Sequence, residues 1–115
     1  MNFIELREKT QLKQIVEDSN SLPMGALIFK HSTRCAISHM VLNRFRRSWD
    51  VSPGKLPVYY LDLIRYRDIS DQISQTFNVE HESPQVLLIK GGESIYSASH
   101  NMISPENIKE KALNG

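Results

Sequence analysis

The chain has 115 residues, 40% hydrophobic and 23% charged, with a formal net charge of +1. That size suits one domain with one core, and the composition is that of a globular protein rather than a disordered one. A near-neutral chain has no bulk field toward nucleic acid or anionic membrane, no apolar run approaches the roughly 20 residues of a membrane span, and one cysteine excludes an intrachain disulfide or a multi-cysteine metal site.

The segment Met1 to Lys13 is charged and lacks the apolar core of a secretion signal, so a cytoplasmic domain spanning 1–115 is the expectation. Phe3, Leu6, Leu12, Ile15 and Val16 recur near a 3.6-residue period and predict a helix over 3–18, ended by Asp18-Ser19-Asn20-Ser21. Ala26-Leu27-Ile28-Phe29 is a short apolar run, suited to a strand buried on both faces and bounded by the polar group Lys30-His31-Ser32-Thr33. From Cys35 to Trp49 the helical period returns, with Ile37, Val41, Leu42, Phe45 and Trp49 on one face. Val58 to Leu63 is a second strand, and 67–77 a helix with Asp68 as its cap and Asn78 closing it. Val86 to Lys90, Gly91-Gly92 and Glu93 to Ala98 read as a hairpin. Ser104-Pro105 opens a last helix.

The order is αβαβαββα. A βαβ unit joined through a helix to a ββα unit is the thioredoxin arrangement, so the predicted class is α/β and thioredoxin-like, with a central mixed four-stranded sheet flanked by helices.

Cys35 falls where the loop after the first strand becomes a helix. The first N–H groups of a helix lack partners and the macrodipole is positive there, so the position favours a thiolate, the nucleophilic form. Arg34 adds positive charge beside it. A lone cysteine is also often a small buried hydrophobe; against that stands the polar run His31-Ser32-Thr33-Arg34. Cys35-Ala36-Ile37-Ser38 has the C-x-x-S spacing: serine cannot resolve a mixed disulfide, but its hydroxyl could donate to the thiolate one turn away. Ser83-Pro84 precedes the third strand. A trans proline is common at a strand start; in the thioredoxin arrangement the proline at this place is cis, faces the cysteine and leaves the preceding backbone, here that of Ser83, free to pair with substrate.

The segment Leu27 to Ser38, together with His81-Glu82-Ser83-Pro84-Gln85-Val86, resembles the two signatures of the monothiol bacilliredoxins, YtxJ-like thioredoxin-fold stress proteins of the bacillithiol system. The likeness covers nearly the whole chain. It implies a monothiol thiol–disulfide oxidoreductase that removes bacillithiol, or a similar low-molecular-weight thiol, from protein mixed disulfides. Cys35 matches the reactive cysteine, Ser38 the missing resolving position and Pro84 the cis proline. Ser38 and Arg34 are then expected to stabilise the thiolate, and Thr33, Ser83 and Pro84 to contact substrate. The family often has proline directly after the cysteine; Ala36 stands there instead. No bound cofactor is expected. Low-molecular-weight thiol is the co-substrate, S-thiolated proteins are the clients, and the thiol or another redoxin is the reductant. A monomer or weak dimer, without nucleic-acid or membrane partners, completes the expectation.

His31, Cys35 and His39 are spaced by four, but one thiolate and two imidazoles fall short of a closed zinc set. Replacing the glycine-aromatic pair of C-G-F-S glutaredoxins, Ala36 and Ile37 also argue against a bridged iron–sulfur cluster. Arg44, Phe45, Arg46, Arg47 and Trp49 resemble a nucleic-acid patch, yet the aromatics at i and i+4 belong to the core face. The rival reading is a non-catalytic binding or redox-sensing module.

Overall fold

A computed structural model describes residues 3–114. Five strands form one sheet in the order β1-β3-β2-β4-β5: β1 (Phe3–Glu5), β2 (Ala26–His31), β3 (Val58–Asp62), β4 (Gln85–Lys90) and β5 (Glu93–Ser99). The helices are α1 (Gln11–Ser21), α2 (Ala36–Ser48), α3 (Arg67–Phe77) and α4 (Pro105–Asn114), with a 3₁₀ turn at His100–Met102. β1, β3 and β2 run parallel, and β4 and β5 are antiparallel additions.

The N-terminal segment departs from the expected helix over 3–18. Phe3–Glu5 is a strand whose register is Phe3↔Val58 to Glu5↔Tyr60, making the sheet five-stranded rather than four-stranded. Its hydrogen bonds come from β3, more than fifty residues away, so no local period could signal them. The helix starts at Gln11, whose side-chain carbonyl accepts the N–H groups of Arg7 (2.7 Å) and Glu8 (3.0 Å). It also runs through the serines expected to end it. Ser19 and Ser21 donate back to the carbonyls of Val16 and Glu17, which keeps both hydroxyls satisfied inside the helix.

Strand alternation divides the core into two layers. Ala26, Ile28, Leu87 and Ile89 pack with α1 and α3, through Leu12, Ile15, Ile69, Ile73 and Phe77. Leu27, Phe29, Val86 and Leu88 pack with α2 and α4, through Val41, Leu42, Phe45, Ile108 and Ala112. The predicted helix over 67–77 is observed, closed by Asn78 in the left-handed conformation. Its N-cap is Tyr66; Asp68 lies in the first turn instead, where a carboxylate still suits the dipole. Gly91 and Gly92 both have positive φ, as a two-residue hairpin with the right twist requires. Among the described residues, no helix is long and apolar enough to cross a membrane.

Candidate functional site

β2 and β3 are parallel, so their C-terminal ends open on the same rim of the sheet. Antiparallel β4 begins at that rim, with Gln85 opposite Lys30. Pro84 and the loop into α2 therefore lie at one end of adjacent strands, the side on which open α/β sheets place their ligands. The Ser83–Pro84 bond is cis.

Cys35 is the N-cap of α2, with extended backbone (φ −113°, ψ 120°). Its N–H donates to the Ser32 carbonyl at 3.2 Å, and its own carbonyl accepts the first helical bond from His39 at 3.1 Å. The side chain is partly exposed and makes no capping hydrogen bond, which leaves the sulfur uncommitted at the positive end of a helix. Ala36 is the first residue of α2. A proline there would have no N–H, so this chain has one more donor at the helix start. Arg34 and Thr33 are exposed beside the cysteine.

Ser38 is fully buried, and its contacts differ from the expected one. Its hydroxyl lies 2.7 Å from Nδ1 of His31 and accepts the Ser32 N–H at 3.1 Å. The serine thus holds the loop that leads to Cys35 by its first residue. His39 holds the next, donating from Nε2 to the Thr33 carbonyl at 3.0 Å. The His31 and His39 rings meet edge to face at 4.7 Å. Each histidine spends a ring nitrogen here, His31 on Ser38 of α2 and His39 on the Thr33 carbonyl of the loop, and among the described residues no group of three or more His, Cys, Asp or Glu is placed to hold a metal ion. Burial pushes the His31 imidazole down to about 4; His39 and Arg46 add to the push and Asp62 opposes it. The ring is therefore neutral near pH 7.

The polar boundary read after Phe29 belongs to the buried strand: Lys30 and His31 are 0% and 1% exposed. They point to opposite faces of β2. Lys30 reaches the α3 side, where Nζ donates to the Ser70 carbonyl (3.3 Å), the Ser74 hydroxyl (3.2 Å) and Nδ1 of His81 (3.3 Å). Burial lowers its ammonium to about 8, with Asp71 opposing and Arg67 assisting. His81 is also lowered, by burial and then by Lys30 and Arg67, against Asp71 and Glu82. This pair ties β2 to the loop before Pro84. Sequence reading missed it, although a lysine next to a doubly buried strand was a signal. The rest of that loop is fixed by Gln85, which donates to the Glu80 carbonyl (2.9 Å) and accepts from the Glu82 N–H (3.3 Å). Among the described residues Ser83 Oγ is the buried side-chain polar atom with no hydrogen-bond partner. A surface concavity of about 790 Å³, lined by Phe3, Glu5, Glu8 and Tyr60 among others, includes neither Cys35 nor Pro84.

Residues 4–108 match the sequence model of the monothiol bacilliredoxin BrxC. The chain belongs to the monothiol bacilliredoxin family. A solved protein proposed to be an oxidoreductase with a thioredoxin fold is 28% identical, with a TM-score of 0.75 over 94% of this chain and 91% of the other. Thioredoxins from Malassezia sympodialis (19% identity, TM-score 0.68, 98% and 90% covered) and Plasmodium falciparum (12%, 0.65, 98% and 97%) share the fold. The thioredoxin fold and a bacilliredoxin's thiol redox role are thus established from the sequence outward. The chain carries a single cysteine, Cys35.

Proposed function

We propose that this bacilliredoxin is a monothiol disulfide reductase that clears bacillithiol, or a similar low-molecular-weight thiol, from S-thiolated client proteins. The observation that carries the reading is Cys35 itself, a partly exposed cysteine at a helix N-cap with its side chain uncommitted.

Cys35 thiolate attacks the small thiol's sulfur in the client mixed disulfide. The new sulfur–sulfur bond forms on Cys35 as the old one breaks, and the client cysteine leaves as a thiolate that takes a proton from water. A second small-thiol thiolate then attacks the adduct, releases the symmetric small disulfide and restores Cys35. The unpartnered N–H groups at the start of α2 offset the negative charge that passes between the sulfurs in both steps. Arg34 adds charge, and Thr33, Ser83 and Pro84 form the substrate rim. Ser38 supports the reading through the loop it holds. The reductant is free thiol or another redoxin. The protein works as a cytoplasmic single domain, a monomer or weak dimer, with no bound cofactor and no nucleic-acid or membrane partner.

Intact mass after incubation with oxidised bacillithiol, oxidised glutathione or oxidised coenzyme A tests this. One adduct on Cys35, forming fastest with bacillithiol, is expected. No adduct from any of the three would remove the reading and favour a binding module.

A further inference from the structure

We propose that the exposed face of α2 beyond Cys35 docks an acidic, apolar-anchored segment of the client protein; the proposal rests on the thiol-exchange reading above. Most of the chain's apolar side chains are buried, but Ile37 (57% exposed) and Met40 (70%) stand out in the first two turns after the cysteine. Met102, 69% exposed, follows Asn101 in the 3₁₀ turn that packs beside α2. A surface groove of about 480 Å³ runs along this face, with Ile37, Met40, Asn43, Arg44, Arg47 and Asn101 at its walls and buried Val41 at its floor.

The groove has a direction. Its apolar residues lie next to Cys35 and its arginines farther along. α2 carries three arginines and no carboxylate. Arg46 is spent on the Phe3 ring, 5.1 Å away. Arg44 and Arg47 are exposed, and among the described residues neither takes part in an ion pair. In a chain of net charge +1 this is a local concentration of positive charge with no acid in the groove wall. A polyanion such as nucleic acid would leave Ile37 and Met40 unused. A peptide with an apolar residue near its cysteine and acids farther off uses both parts.

The spacing sets the register. At about 1.5 Å rise per residue, Arg44 and Arg47 lie roughly 13 and 18 Å along the helix from Cys35. An extended peptide advances about 3.3 Å per residue, so the acids belong roughly four to six residues from the client's modified cysteine.

A labelled twelve-residue peptide with one cysteine, a leucine next to it and acids at the fourth and fifth positions beyond is the probe. Its twin carries lysines at those two positions. Anisotropy with full-length Cys35→Ser reads docking, and intact mass with the parent reads exchange of each peptide's small-thiol mixed disulfide. The acidic peptide should bind and exchange about fivefold or more better than its twin. Arg44→Glu with Arg47→Glu should invert that order, and Met40→Ser should weaken both peptides, while adduct formation with the small oxidised thiol stays at the parent rate. Equal binding of the twins, or no inversion in the double variant, overturns the proposal. So does displacement of the acidic peptide by a short single-stranded oligonucleotide at equal concentration, or a dimer of the chain that Met40→Glu dissociates. Discrimination between the peptides with no small-thiol adduct would sink the exchange reading and leave the docking face; the reverse would sink the docking face alone.

Discussion

Nδ1 of buried His31 lies 2.7 Å from the hydroxyl of buried Ser38, and the same hydroxyl accepts the Ser32 N–H. The last residue of β2 and the first residue of the loop are thereby tied to one oxygen on α2. In a dithiol redoxin the Ser38 position would hold the resolving cysteine; here it holds the loop.

Ser38→Ala leaves a buried ring nitrogen and a backbone N–H without a partner. Each such orphan costs about 1–3 kcal/mol, so the variant should unfold at clearly lower urea and exchange more slowly. After reaction with the oxidised small thiol, the new thiolate of Ser38→Cys should attack the Cys35 mixed disulfide, expel the small thiol and leave an internal disulfide two hydrogens lighter than the reduced variant by mass. Its reduced form should nevertheless be less stable than the parent, because sulfur is a weak acceptor for the Ser32 N–H. Equal urea midpoints for parent and both variants would contradict the loop-holding role.

His31 should make the fold acid-sensitive. Its ring is held down to about 4 when folded and returns to about 6.5 when unfolded, so the unfolded state binds the extra proton between those values. Stability is full above that window and falls as pH drops through it, by up to about 1.4 kcal/mol per pH unit. His81, lowered for related reasons, adds in the same direction. His31→Asn, whose amide can still reach Ser38, should flatten the dependence between pH 6.5 and 4. Urea midpoints across that range check this; an unchanged slope would count against a buried neutral His31.

Lys30 acts at the other end of the scale. Its folded value of about 8 lies below its ordinary 10.5, so the unfolded state binds more protons between them and stability rises with pH across that interval. Replacing a buried cation by a hydrophobe of similar length is often neutral or stabilising. Lys30→Met should therefore be at least as stable as the parent at pH 7 and lose the alkaline rise. Removing the nearby positive charge should also raise His81, which imidazole NMR shifts would report. A variant much less stable at pH 7 would show that the bonds to Ser70, Ser74 and His81 outweigh the desolvation.

Cys35→Ser should fold as the parent does and gain up to about 1 kcal/mol, since serine is a preferred N-cap and Cys35 makes no capping bond. A markedly destabilised variant would point to a packed, structural cysteine.

How far the sequence could be read follows from the range of each signal. Helix α3, the Gly91-Gly92 turn and the helix start at Cys35 rest on neighbouring residues, and all were legible. β1 was not, because Phe3–Glu5 is too short for its own pattern and takes its bonds from Val58 to Tyr60. The burial of Lys30 and His31 was hidden because it depends on what α2 and α3 cover. Ser38 was singled out by its spacing from Cys35, but its bonds depend on how the loop from Ser32 closes.

The most direct test of monothiol chemistry follows both partners at once. Parent protein is mixed with a client carrying one small-thiol mixed disulfide, and intact masses of both are recorded over time. The client should lose the small thiol's mass as the Cys35 protein gains it, and the adduct should persist until free thiol is added. Repair of the client with no adduct on Cys35, or an adduct that clears itself without added thiol at a rate independent of protein concentration, would contradict the account.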